Sequence, residues 1–172
     1  ETSLTVRADP RHSFTLEERR RNQKFVREIS ELTQRGSRLI SEMEALDARL
    51  DDLKKRLSAA GITDRALQEK LRTVLQDVEE ISGAYSYSVE GRTGYRRPVQ
   101  VALRGGTLPE QLSRLRGSVI RYQGAPTQTE IDQFNDIKSG VEPLFALAAQ
   151  LKESRIPELN RMLNALDFPI IK

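Results

Sequence analysis

No cysteine occurs among the 172 residues. Disulfide staples, thiolate metal sites and cysteine nucleophiles are excluded together by that absence. Tryptophan is missing as well, and four Tyr and five Phe supply too little for a large aromatic core. Histidine occurs once, at His12. It sits in a polar stretch with no second His to share a metal, so a solvated linker residue is the plain reading. Long apolar runs are lacking too: nothing approaches the ~20 residues a membrane-spanning helix requires. The first residues also lack a basic stretch leading into an apolar core, so a secretion signal would have to belong to a longer parent chain. Net charge is only +3, too small by itself to argue for a polyanionic partner.

Catalytic and phosphate-binding patterns are equally sparse. Gly105-Gly106 precedes a helix, but the lysine–hydroxyl pair of a phosphate-cradling loop does not follow it. Asp and Glu are interleaved with Arg and Lys at helix-surface spacing, which describes a solvated face rather than a carboxylate pair set across a pocket. Arg19-Arg20-Arg21 is diluted by Glu17, Glu18 and Glu28 and reads as an exposed turn. No catalytic, cofactor or metal residue is assigned.

What the chain does have is heptad periodicity. Phe25, Ile29, Leu32, Leu39, Met43, Leu46, Leu50, Leu53 and Leu57 alternate steps of four and three, with Gly36 at the one vacant seam position. That spacing predicts a long coiled-coil-like helix. Thr15 and Glu18 form a capping-box pattern at its start, and Ala60-Gly61 predicts its end. Glu17–Arg21, Glu31–Arg35, Asp51–Lys55 and Asp52–Arg56 stand at i,i+4 with the acid first, the better orientation. A second helix follows Thr63-Asp64 with Leu67, Leu71, Val74, Val78 and Ile81, and Ser82-Gly83 is expected to stop it. A third opens at Thr107 with Glu110 and carries Leu108, Leu112, Leu115, Val119 and Tyr122. A fourth opens at Thr127 with Glu130 and carries Ile131, Phe134, Ile137, Val141, Leu144, Ala148 and Leu151. Pro143 should bend or break it. Pro157 is expected to open a short last helix with Leu159, Met162, Leu163 and Leu166. The fold class is therefore all-α, a long antiparallel helical hairpin or bundle.

Two segments depart from that pattern. Ser3 to Arg7 alternates as a short strand does, ended by Asp9-Pro10. A lone strand needs a sheet to satisfy its backbone, so residues 1–12 are read as the end and linker of a preceding β domain, and 13–172 as the helical domain. The insert 84–106 is a small β-hairpin or an irregular loop, with Tyr85, Tyr87 and Val89, then Val99, Val101 and Leu103, alternating with polar residues. Residues 84–126 hold seven Arg against Glu90 and Glu110. Tyr85, Tyr87, Arg92, Tyr95, Arg96, Arg97 and Arg104 are thus the candidate partner-contact residues. A solvated loop ranks first for this patch and a protein or intramolecular contact second. Nucleic acid, which Arg and Tyr can also hold by phosphate contacts and stacking, ranks third.

Leu4-Thr5-Val6-Arg7-Ala8-Asp9-Pro10-Arg11, followed by a helical hairpin, resembles the C-terminal region of large bacterial secreted proteins with sortilin-like or sialidase-like β-propellers, the BNR-repeat glycosyl hydrolases. The end of the chain, from Ile156-Pro157-Glu158-Leu159-Asn160 onward, is similar to that family's closing helix. The resemblance implies a secreted or periplasmic location, an upstream propeller as partner, and chemistry carried by the propeller rather than by this chain. Tyr85 to Leu103 departs from it, being Arg/Tyr-rich where the family is Gly-rich. The expected function is a non-catalytic structural or interaction module of such a parent. The alternative is an independent coiled-coil adaptor for an anionic partner, binding through Arg92–Arg104. Heptad spacing alone serves an intramolecular hairpin and a homo-oligomer equally.

Overall fold

The architecture follows from one helix that outruns every other. A computed structural model of the chain describes residues 14–86, 107–122 and 124–171. Among them the secondary structure is all helical: α1 (Leu16–Ala59), α2 (Arg65–Ser86), α3 (Leu108–Arg121), α4 (Gln128–Gln150), a π-helical segment (Leu151–Arg155) and α5 (Ile156–Ala165). With 44 residues, α1 is about 66 Å long at ~1.5 Å per residue. Its expected seam is buried from Phe25 to Leu57, Gly36 included, and extends one step further to Asn22. Ile29, Leu50 and Leu53 are fully enclosed. Burial of each such side chain is worth about 1.5–3 kcal/mol, so the seam outweighs every surface pair on the helix.

Two shorter strings of helix cover that seam. α2 turns back from the end of α1, and α3 also packs on α1 and touches α2. The side-chain amide of Asn22 donates to the carbonyls of Val119, Tyr122 and Gly124, which puts the end of α3 beside the start of α1. α2 and α3 therefore follow one another along α1, both antiparallel to it. The third string is α4, the π segment and α5, running parallel to α1. The Phe25 and Phe134 rings meet edge to face, Arg35 lies over Phe145, and Arg56 lies over Phe168. The result is a three-stranded helical bundle.

Local chemistry explains the ends. All three Thr-x-x-Glu patterns, at Thr15, Thr107 and Thr127, form complete capping boxes, each threonine side chain and each glutamate serving the other's backbone amide. Asp64 accepts from the Leu67 amide at the start of α2. α1 closes with Gly61 at φ 68 and the Ile62 amide donating to the Leu57 carbonyl, the Schellman arrangement that the glycine permits.

Proline and glycine behave differently from the sequence expectations at three places. Ser82-Gly83 does not stop α2, which continues to Ser86; a helical glycine costs only about 1 kcal/mol relative to Ala, and the enclosed Ile81 beside it holds the turn. Residues 84–86 are thus helical rather than the start of a hairpin or loop. Pro143 does not break α4, which is continuous to Gln150. Pro157 opens α5 as expected, standing at its second residue, but no loop separates that helix from α4. The proline's missing N–H and its ring disrupt the turn before it, and the Ile156 amide reaches the carbonyl of Leu151, five residues back. One π turn absorbs the conflict, and the string runs on into α5. A fourth difference is Tyr122, expected on the apolar stripe of α3. It caps the helix and is half exposed, its ring edge-on to Phe14. The expected strand at residues 3–7 and the rest of the 84–106 insert lie outside the described residues.

Candidate functional site

The Arg/Tyr patch falls almost wholly outside the described residues: Tyr87, Arg92, Tyr95, Arg96, Arg97 and Arg104 are not among them, nor is His12. Only the backbone of Tyr85 is, in the last turn of α2. Of the triplet at the start of α1, Arg21 pairs with Glu17, Arg20 is exposed and Arg19 is half-buried. Its Nε has no hydrogen-bond partner among the described residues.

Three ion pairs instead tie the third string to the other two. Arg155, in the π segment, pairs with Asp77 of α2; Lys70 of α2 pairs with Glu158 of α5; Glu42 of α1 pairs with Lys152. Asp77 and Arg155 are the most enclosed, with side chains 10 % and 23 % exposed. The two pairs on α2 have opposite polarity, base–acid at 70 and acid–base at 77. Sliding the third string by a heptad would bring like charges together, so the pairs select one register. Glu80 stands near the same arginine. Burial first, and then the repulsion of Asp77, push its carboxyl above the usual range, while Arg155 pulls the other way.

A shallow groove lies on the opposite side of the third string, against α1. Leu39, Met43, Leu46 and Ala148 form its floor, and Arg35, Arg38, Glu42, Arg49, Lys152 and Glu153 border it. The guanidinium of Arg35 is 4.3 Å from the centre of the Phe145 ring, a cation–π contact that closes part of the upper end. The lower end holds the chain's own Ile171, whose backbone is clasped by Asn160: the Asn160 amide donates to the Ile171 carbonyl and the Ile171 amide donates back, each at 2.9 Å.

Comparison of the chain with protein-family models, curated proteins and solved structures found no match. The chemistry must therefore be read from these groups alone. Among the described residues no three His, Cys, Asp or Glu side chains converge as a metal site, and no helix is long and apolar enough to cross a membrane. The enclosed polar side chains Asn22, Asp77, Arg155 and Asn160 each bind another part of the same chain. The sequence reading missed all four. A usable signal existed for two: Asn22 stands one seam step before Phe25, and Asp77 stands one heptad after Lys70 beside the α2 seam.

The capping glutamates give the bundle a predictable acid limit. Hydrogen bonds from the Thr15 amide and hydroxyl hold the Glu18 carboxyl below its ordinary range. Burial alone would raise Glu130, but the Thr127 amide and the Ser118 and Thr127 hydroxyls outweigh it and hold this carboxyl low too. A carboxyl whose folded pKa is depressed stabilises above its unfolded pKa, and that stability is lost as pH falls through the folded value. The urea midpoint should thus hold down to about pH 4.5, the ordinary value for Glu, and fall below it. Glu80, shifted upward, works in the opposite sense, so the pair Glu18→Gln/Glu130→Gln should flatten the acid limb while Glu80→Gln leaves it. An unchanged acid limb in the double variant would refute the assignment.

Proposed function

We propose that this chain is a non-catalytic helical module, a stiff spacer that separates what lies at its ends within a larger protein. The supporting observation is that the seam of α1 is covered along its whole length by segments of the same chain. The periodic surface that could have recruited other helices is used internally, leaving a charged rod about 66 Å long. Phe14 stands at one end; the turns at Gly61 and Asp167 stand at the other. Residues 1–12 enter at the Phe14 end, where the resemblance of Leu4–Arg11 implies an upstream propeller of a secreted or periplasmic protein.

A spacer depends on length more than on surface. Replacing residues 14–171 in the parent protein by an unrelated helical rod of about equal length should keep the parent's function, and loss on exchange would sink the reading. The propeller part is tested separately by the reading frame ahead of Glu1, where propeller repeats and a secretion signal are expected. The second reading, an adaptor for an anionic partner, draws on the excess of arginine in residues 84–126. It requires a complex whose affinity falls steeply with salt and whose salt slope flattens in Arg96→Ala/Arg97→Ala. We expect no nucleic-acid binding tighter than about 10⁻⁴ M at physiological salt.

A further inference from the structure

The groove between α1 and the third string has two helical walls of the same period. On α1, Arg35, Arg38, Leu39, Glu42, Leu46 and Arg49 stand at i, i+3, i+4, i+7, i+11 and i+14 along it. Across from them Phe145, Ala148, Ala149, Lys152 and Ile156 repeat that series to i+11. From Arg35 to Arg49 the α1 wall is about 21 Å long at 1.5 Å per residue. Towards the π segment the walls part. No Cα of α1 comes within 8 Å of one in the π segment or α5, and the Glu42–Lys152 pair reaches across the opening. The core meets solvent along this line: Leu39 and Leu46 are 6 % and 7 % exposed, while Leu50 and Leu53 further down the seam are fully enclosed.

We infer that this groove docks one acidic amphipathic helix of a partner protein, laid along α1 as a fourth strand of the bundle. The period of both walls is that of helix ridges, so the side chains of a third helix can enter between them. Ala45 and Ala149 are exposed beside the apolar floor, and their small size leaves room there for larger apolar side chains. Charge selects the flanks of the occupant. Of the six charged side chains that border the groove, four are basic, Arg35, Arg38, Arg49 and Lys152, against Glu42 and Glu153; the complementary flank is acidic. Glu42 already displays the chemistry, its carboxylate held by Lys152 from the opposite wall. Both side chains of that pair are about half exposed, and exposed pairs contribute little to stability, so a partner's carboxylate can take the place of Glu42. The inference stands apart from the spacer reading, since it concerns the side of the rod and not its length.

The probe is a labelled peptide of three heptads with Leu at a and d and Glu at e and g, titrated against the full chain by fluorescence anisotropy. It should bind at least about tenfold more tightly than the same peptide with Lys for Glu, because like charges then face each other across the groove. Gln for Leu in the acidic peptide should weaken binding to a similar degree, since the apolar floor is left uncovered. Glu42→Gln removes the internal carboxylate and should tighten binding. Ala149→Trp fills the groove between the Phe145 and Lys152 turns and should abolish binding, with Ala45→Trp as a second block; an unchanged urea midpoint in either variant shows that the bundle is intact. The inference is overturned if the acidic peptide does not bind, or if the Lys peptide binds as well. It is equally overturned if the Gln peptide binds as tightly, which would be attraction of charge without docking, or if a folded Trp variant keeps its affinity, since the peptide then lies elsewhere.

Discussion

Arg155→Ala is expected to destabilise the bundle by about 3–5 kcal/mol, the cost of leaving a buried charge without its partner. Asp77 is 7 % exposed as a residue and its carboxylate is satisfied by Arg155. With the guanidinium gone, Asp77 and Glu80 also face each other without a cation between them, and Glu80 should take up a proton at higher pH than before. Asp77→Asn should cost less, because Arg155 is the more exposed partner and can turn to water. The double change Asp77→Leu/Arg155→Met should come close to wild type, since a packed apolar pair of similar size removes the desolvation cost altogether. Urea midpoints of the three variants check the ordering. An Arg155→Ala midpoint within about 0.5 kcal/mol of wild type, the range of ordinary surface changes, would mean that the pair is solvated.

Asn22→Asp should be the most damaging conservative change at the opposite end. The Asn22 amide is a donor to three carbonyls, those of Val119, Tyr122 and Gly124, at 2.8–2.9 Å. Alanine there leaves enclosed acceptors unpaired, at about 1–3 kcal/mol for such a group. Aspartate goes further, turning a carboxylate toward three oxygens that cannot donate to it, so Asn22→Asp should exceed Asn22→Ala by a clear margin at neutral pH. Acid should narrow the gap as that carboxyl is protonated. Equal midpoints for the two variants across pH would show that the contact does not hold the end of α3.

Much of this fold can be read along the chain because its organising signal is periodic. Phe25 to Leu57 announce α1 by spacing alone, and the three Thr-x-x-Glu boxes mark starts that depend on four adjacent residues. Asn22 escaped because it is polar where the pattern is apolar; its value lies in carbonyls about a hundred residues away. The same holds for Asp77 and Arg155. An i,i+4 reading finds Glu17–Arg21 and Asp52–Arg56, which do form, but not pairs between strings. It also assigns Arg35 to Glu31, whereas Arg35 lies over Phe145. Ser82-Gly83 was overestimated as a stop, and Pro143 does not break α4, because a local breaker costs about 1–3 kcal/mol and the packing of enclosed neighbours such as Ile81 and Leu144 offsets it. The candidate Arg/Tyr residues gave a compositional signal and fall almost wholly outside the described residues, while Asn160 and the members of the ion pairs are common residue types given meaning only by their position.

The order in which the strings are laid down has a kinetic consequence. α1 and α2 meet through the short turn at 60–64, and α3 and α4 meet through residues 122–127, so each half of the chain is a hairpin closed by neighbours in sequence. Such local closures are fast. The two hairpins then associate side by side, a step that resembles the pairing of separate molecules. Ser86 ends the first hairpin and Thr107 opens the second. Severed there, the halves would be candidates to find one another again as a two-piece protein.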